Sequence, residues 1–540
     1  MNKLHWEVNW LIVRDGIYYG FGWIFHEEQN IRDLRLEVRF ENNENQTIAA
    51  SFGKPRDDVA ASFAKFSTAK FAGFSLLGSC KQQLSKFSKL FLLVTFENGS
   101  VSEFPVPQDC IKFYGADDMA VGKISMRQLV AYVKRGIFLL GNLQITSLLG
   151  YVKRYFRSRP ASFLEKGEDL RTRLDAIELR NIVMLIDHDF GGGANLYREQ
   201  MVAEKIREGA TVLIFSYYVA TLSYVLMVRS NQRNNRFAIP GCNFLLELAG
   251  LIEVREIIYN TGVSFAHPEE LPPLLVELKS KYHSRLTLMV HDFFMVCPSH
   301  YLLDDAGKYC GIPDISRCQT CLGNNQQDYS SLFQPRNIIE WRALWGSVIA
   351  LADEIRTFSN DSLKLLQKAY PSFDPVRAVV KPHSVKHLNH EIIRPSYTAS
   401  LRIGVVGQIG YHKGAKVVQE LAAEIKARRL DIQIVVIGTI EALCEQTVVS
   451  QTGSYQHEKL PALIKSAGVN IMLFPSICPE TFSYVVQELM ELGLPVACFD
   501  LGAPAERLSK YTRGLVMKET AAPATLNDLV LFHQRVYLSS

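Results

Sequence analysis

The sequence predicts an α/β protein with two doubly wound, Rossmann-like halves facing a cleft, preceded by an all-β sandwich. Three observations carry this prediction. Residues 1–115 are dominated by aromatic and β-branched runs punctuated by turn residues. Beyond residue 180, continuous apolar runs alternate with helical stretches in two successive sets, the pattern of parallel strands buried on both faces. A chain of 540 residues also exceeds what one core holds, since cores stop growing near about 250–300 residues.

The N-terminal runs LHWEVNWLIV, GIYYGFGWIF, LRLEVRF, KLFLLVTF and VSEFPV are separated by turn signals such as Asp15-Gly16 and Asn98-Gly99. A sandwich of about seven strands fits them, read as an accessory domain without chemistry of its own or as a carbohydrate-binding one. Residues 116–178 read as a basic helical linker. Met119 to Leu164 contains no acidic residue, while Lys123, Arg127, Lys134, Arg135, Lys153, Arg154, Arg157 and Arg159 bracket apolar segments. Such helices suit an anionic membrane surface, or equally a solvated connection between domains.

The first α/β half is assigned to 179–375, with the runs NIVMLI, TVLIFS, EIIYN and LTLMV and a Cys-rich insertion at 297–325. A hinge at 376–400, with Pro382 and Pro395, separates it from the second half, 401–540, with RIGVVG, IQIVVIG, NIMLF and PVACFD. Ligands of open parallel sheets bind beyond the carboxyl ends of the strands, so a cleft is the expected site.

Composition narrows the function classes. A net charge of +4 from 59 basic and 55 acidic residues gives no support for a nucleic-acid partner. MNKLHWEVNW lacks the basic and apolar regions of a secretory signal, and the run from Gly136 to Val152, interrupted by Asn142 and Gln144, is read as no membrane span. A cytoplasmic protein, peripheral on the inner face of the plasma membrane if the basic linker binds there, is expected, with its ten cysteines mostly reduced, buried or metal-bound.

Four motifs follow strands. After NIVMLI comes Asp187-His188-Asp189-Phe190-Gly191-Gly192-Gly193-Ala194-Asn195. Its glycines permit backbone N–H groups to approach a phosphate at a helix N-terminus, or simply make a tight turn. Asp187-x-Asp189 also matches a metal-binding acidic pair, a reading disfavoured by the adjoining glycine loop. After RIGVVG, the turn Gln408 to Gly414 places Lys413 at a glycine-flanked corner, where a cation can neutralise a diphosphate leaving group. His291-Asp292 follows LTLMV. NIMLF leads into Pro475 to Tyr484 and then VVQELMELGLPV, with Glu480 at the strand end and Glu488 two helical turns later.

Together these segments resemble glycosyltransferase family 4, the retaining group 1 enzymes of GT-B fold, over about residues 180–520. The pair Glu480 and Glu488 with Gly493-Leu494-Pro495-Val496, the Lys413 loop, the glycine loop and His291-Asp292 carry the resemblance, which is most similar to bacterial polysaccharide and O-antigen members through DHDxGGGAN, GxIGxHKG and the segment Asp500 to Arg507. The resemblance implies transfer, with retention, of a sugar from a nucleoside-diphosphate sugar to a glycan or lipid-linked glycan acceptor. Gly192, Gly193 and Lys413 would meet the diphosphate, with the Thr481, Phe482 and Ser483 amides beginning the next helix. Glu480 would hold sugar hydroxyls, Glu488 the ribose, and His291 the sugar near its reacting carbon. Gln408 stands where many members carry Arg. No cofactor is implied for catalysis. A non-catalytic glycan-binding scaffold and a sugar-nucleotide epimerase of the same architecture are the rival readings.

Cys297, Cys310, Cys318 and Cys321 have the spacing C-x12-C-x7-C-x2-C. A structural zinc, buried reduced thiols or a redox pair each suit four thiols in one loop, with His300 and Asp304 as substitute ligands.

Overall fold

The computed structural model describes residues 3–42, 44–80, 89–114, 133, 162–163, 181–188, 190–325, 337–385, 392–395, 400–442 and 444–538. The basic linker at 116–178 lies almost wholly outside the described residues, as does Asp189. Among the described residues no helix is long and apolar enough to cross a membrane. The chain divides into two units, Met1–Leu288 with Gly323–Asp353, and Met289–Leu322 with Glu354–Ser540, so the Cys-bearing segment belongs to the second.

The first unit begins with eight strands: β1 (Leu4–Arg14), β2 (Ile17–His26), β3 (Ile31–Arg39), β4 (Asn45–Lys54), β5 (Gly73–Ser79), β6 (Lys89–Phe96), β7 (Val101–Pro105) and β8 (Ile111–Tyr114). They hydrogen-bond in the single order β7-β6-β3-β4-β5-β2-β1-β8 and share one core that includes Leu11, Ile24, Leu36, Leu76 and Val94. Asp15 and Gly16 both take positive φ, 50° and 75°, which makes the β1–β2 turn of the kind whose twist matches the strands. Burial alternates along β6, the period-two signature of a sheet with one buried face.

The same unit then builds an α/β sheet from β9 (Ser162–Phe163), β10 (Ile182–Ile186), β11 (Val212–Tyr218), β12 (Ser223–Arg229), β13 (Asn234–Ile239), β14 (Val254–Tyr259) and β15 (Arg285–Met289). The order runs β15-β14-β10-β11-β12-β13-β9. β15, β14, β10 and β11 are parallel, as their unbroken apolar runs predict, and every residue of β10 is buried. β12 and β13 are antiparallel additions that the apolar periodicity did not separate from their surroundings.

The second unit contains the short parallel pair β16 (Glu354–Thr357) and β17 (Ala378–Val380), then β18 (Leu401–Ile409), β19 (Ile432–Ile440), β20 (Val449–Gln451), β21 (Ile471–Phe474), β22 (Val496–Phe499) and β23 (Gly514–Met517). The last six form a wholly parallel sheet, β20-β19-β18-β21-β22-β23. One core packs helices Ala415–Ala427 and Ala522–Leu538 on one face, and a second packs Leu460–Ala467, Tyr484–Glu491 and Gly502–Leu508 on the other. This is the doubly wound order whose direction reverses between its first and fourth strands, here β18 and β21. A crevice beyond the carboxyl ends of those two strands is where such sheets bind ligands.

Candidate functional site

The two loops that leave β18 and β21 carry the charged residues singled out from sequence, and backbone contacts press the loops together. Gly414, at φ 86°, closes the Lys413 turn, and a Cβ there would lie 2.0 Å from the Pro475 carbonyl oxygen. No larger residue fits this approach. The Ile477 N–H donates to the His412 carbonyl at 3.1 Å, and the Ser476 hydroxyl donates to the same oxygen at 3.3 Å. Gly414 caps helix Ala415–Ala427 without a side-chain hydrogen bond, so the first N–H groups of that helix are not capped by Gly414.

Glu480 lies on the β21 loop. Burial pushes its carboxyl above the usual carboxylate range, against the opposing pull of the Lys413 charge and the Ser483 and Ser476 hydroxyls. Its Oε1 is buried and has no hydrogen-bond partner among the described residues. A buried carboxylate oxygen left in this way costs free energy unless something hydrogen-bonds to it, which marks a position for a hydroxyl-bearing ligand. The Gly502 turn packs on the Glu480 backbone, and the Ala503 N–H donates to the Glu480 carbonyl at 2.9 Å.

The other predicted residues of this unit lie on neighbouring segments. The Thr481 hydroxyl donates to the His291 carbonyl at 2.8 Å, which ties the segment after β15 to the β21 loop. The His291 ring stacks on Phe358 at 4.5 Å and meets His383 edge-on at 5.3 Å. Phe482 is buried and stacks on His383 at 4.4 Å. Ser483 caps helix Tyr484–Glu491, its hydroxyl accepting from the Val486 N–H, and Glu488 further along that helix is fully buried. Gln408 donates to Glu441 at 3.1 Å.

Gly192 and Gly193 sit in the first unit, at the start of helix Gly192–Arg207 after β10. Gly191 and Gly192 have φ of 86° and 83°, and nothing lies within 4 Å of where their Cβ atoms would be. Behind them Asp187, with no exposed surface, accepts from the Asn195 amide at 2.9 Å and from Arg198 at 3.1 Å, while Asn195 Oδ1 accepts from the Gly191 N–H at 2.6 Å. Asp187 is therefore a framework carboxylate that shapes the loop, which accounts for its place beside the glycines without a metal.

The four cysteines do not assemble a metal site here: among the described residues no group of three or more His, Cys, Asp or Glu side chains is placed to hold an ion. Cys318 and Cys321 share one side of helix Ile315–Asn324, and Cys318 points its sulfur at the Pro313 carbonyl, 3.7 Å away. Burial pushes the Cys321 thiol up to about 11, and Cys310 rises for the same reason. All four thiols are partly buried and unbridged.

Sequence reasoning missed three groups. Arg507, within the quoted segment Asp500 to Arg507, lays its guanidinium over the Phe482 ring at 4.3 Å; burial lowers it to about 10, and its Nη1 has no hydrogen-bond partner among the described residues. His383 is held down to about 3, mainly by burial and then by Arg507. His412 is likewise lowered to about 3 by burial, Lys413 and His300, and stacks on Tyr301 with ring centroids 4.0 Å apart. Both imidazoles are neutral near pH 7. Their only sequence signal was adjacency to hinge Pro382 and to Lys413.

Comparison with known proteins places family likeness on this second sheet. Residues 389–532 match the family described as glycosyl transferases group 1. A GDP-mannose-dependent alpha-mannosyltransferase of Mycolicibacterium smegmatis is 31% identical over 139 residues, covering 24% of this chain and 36% of that protein. The chain thus spans about a third of the length of this curated relative. Among solved structures, Anabaena HepE in complex with UDP aligns with 66% of this chain and 91% of its own at 13% identity and a TM-score of 0.45. A glycosyltransferase from Rickettsia africae aligns with 66% and 89% at 14% identity and a TM-score of 0.42. The group 1 glycosyl transferase likeness in sequence therefore covers the segment that holds Lys413, Glu480 and Glu488.

Proposed function

We propose that this protein is a glycosyltransferase that moves a sugar from a nucleoside-diphosphate donor to an acceptor hydroxyl. The observation that carries the reading is the buried Glu480 carboxylate with an unpartnered Oε1, set in the electrostatic reach of Lys413 at the switch point of the second sheet. A carboxylate suits sugar hydroxyls and the neighbouring cation suits the diphosphate. The match to group 1 glycosyl transferases over residues 389–532 supports the same assignment.

In this mechanism the bond between the anomeric carbon and the diphosphate breaks as the acceptor oxygen bonds to that carbon. Lys413 and the amides opening helices Ala415–Ala427 and Tyr484–Glu491 stabilise the charge that grows on the leaving diphosphate. The leaving phosphate takes the acceptor proton on the same face, which retains the anomeric configuration without a protein nucleophile. Glu480 holds the donor hydroxyls, Glu488 the ribose, and His291 lies on the sugar side. Gly192 and Gly193 are assigned the role of offering backbone amides to an anion. A glycan or lipid-linked glycan acceptor, and work in bacterial surface polysaccharide assembly at the inner face of the plasma membrane, complete the proposal, together with the domain boundaries assigned above and an accessory role for the N-terminal β-sheet.

A thermal-shift screen with GDP-mannose, UDP-glucose, ADP-glucose and dTDP-glucose, with and without EDTA, tests the donor site, because a ligand of the native state raises Tm by mass action. Selective stabilisation by one nucleotide family, lost in Glu488→Ala, is expected; no shift from any of them in the wild type counts against the reading. Donor turnover that requires an acceptor separates a transferase from an epimerase.

A further inference from the structure

Glu488 lies on the buried side of helix Tyr484–Glu491, yet the half-exposed His457 from another segment reaches its carboxylate. His457 Nδ1 is 3.5 Å from Glu488 Oε1, with the imidazole side chain 56% exposed and the carboxylate 0% exposed. His457 stands in the short turn His457–Lys459 that leads directly into helix Leu460–Ala467. The Tyr455 ring lies 6.1 Å from that of His457, and its phenol is pushed up by burial and by the Glu488 charge. A buried carboxylate is thus met by a half-exposed imidazole, beside which the Tyr455 ring packs against the core of the second sheet.

This inference rests on the donor reading above, in which Glu488 accepts hydrogen bonds from a ribose diol. We infer that His457 is a donor-positioning residue that competes with the ribose for Glu488, so that nucleotide binding displaces the imidazole and releases its proton. The chemistry follows from the pairing. An imidazolium and a diol are both donors to the same carboxylate, and the imidazolium that loses its partner returns to a lower pKa. Among the groups facing His457 are Glu488 from the opposing helix and Glu458 and Tyr455 from its own segment. The hydrogen bond to Glu488 raises the imidazole above its ordinary range, burial opposes this, and the charges of Glu488 and Glu458 add to the rise. Below that raised pKa the ion pair is intact and donor binding must break it; above it the imidazole is neutral and the competition fades. Donor affinity therefore rises with pH through a value above the ordinary histidine value of about 6.5 and then levels off.

The test is calorimetric titration of the full-length protein with GDP-mannose and UDP-glucose from pH 6.0 to 8.5, in pairs of buffers with different ionisation enthalpies. A nucleotide sugar that binds the wild type should bind more tightly by up to about tenfold per pH unit across the transition, with proton release on binding. His457→Gln should bind at low pH as tightly as the wild type does at high pH and show no slope. dTDP-glucose, which lacks the 2′-hydroxyl, should show a smaller slope. A His457→Gln protein that keeps the wild-type slope, or a wild type that binds without any slope, overturns the role of His457 and leaves the donor reading standing. Absence of binding by the wild type and His457→Gln at every pH overturns both.

Discussion

The loop after β10 and the loop after β18 share one sequence plan, an apolar strand followed by glycines and a helix, and they use their charges in opposite ways. In the first, Asp187 and Arg198 are both buried and satisfy each other, and Asn195 fastens the glycine turn to Asp187. In the second, the Lys413 charge pulls on the buried Glu480 carboxyl from the neighbouring loop, and the Glu480 Oε1 is left without a partner among the described residues. The glycines differ in the same sense. Gly192 needs only its positive φ, with no neighbour near a would-be Cβ, whereas Gly414 also needs the space, since a Cβ would strike the Pro475 carbonyl. A charge consumed by its own framework builds a loop; a charge held apart from its framework is available to a ligand.

The largest expected effect breaks this comparison at its functional end. Glu480→Ala should lower kcat/KM by about 10³-fold or more while Tm holds or rises, because it removes hydrogen bonds to the sugar together with a carboxyl whose burial costs stability. A fully active Glu480→Ala protein would show that the β21 loop is not the donor site. Asp187→Ala should do the reverse, costing about 3–5 kcal/mol in denaturant unfolding by leaving Arg198 buried and uncompensated. An Asp187→Ala protein with wild-type stability would mean that the glycine loop does not depend on this pair.

Lys413→Ala should reduce kcat/KM by about 10²-fold and weaken nucleoside diphosphates far more than free sugars in competition assays. Gly414→Ala against Gly192→Ala sharpens the contrast of space with conformation. The second should cost about 1–2 kcal/mol from the left-handed φ alone, and the first more, with loss of donor binding as the two loops separate. Equal Tm losses would erase the distinction.

The smallest effect is a pH slope. His383 and His412 are depressed in the folded protein to about 3, so folding favours their neutral forms. Their contribution is full above the unfolded value of about 6.5 and is lost as pH falls toward 3, because the unfolded chain then binds more protons. Between pH 7 and 5, Tm should fall, and His383→Asn should flatten the fall. An unchanged slope would assign the acid sensitivity to other groups.

Much of this molecule was legible along the chain. Continuous apolar runs such as NIVMLI and IQIVVIG mark strands buried on both faces, and β10 and most of β19 are buried as that pattern requires. Lys413 and Glu480 stood out because each lies just past such a strand and before a helix, a local arrangement that needs no knowledge of neighbours. The β12–β13 hairpin was missed because short apolar runs carry no sign of strand direction.

The sequence by itself determined the long parallel strands, most of the helices and which polar residues end up at strand ends, since these follow from local periodicity and turn chemistry. Only the tertiary structure decided partnership. It set Arg507 over Phe482, His457 against Glu488 and Asp187 against Arg198, pairs whose members lie 11 to 31 positions apart in the chain. The three-dimensional packing that brings them together sets their burial, and burial raises the Glu480 carboxyl above its ordinary range and lowers the His383 imidazole below its own. Desolvation is a property of everything that surrounds a group, so no run of neighbouring letters contains it.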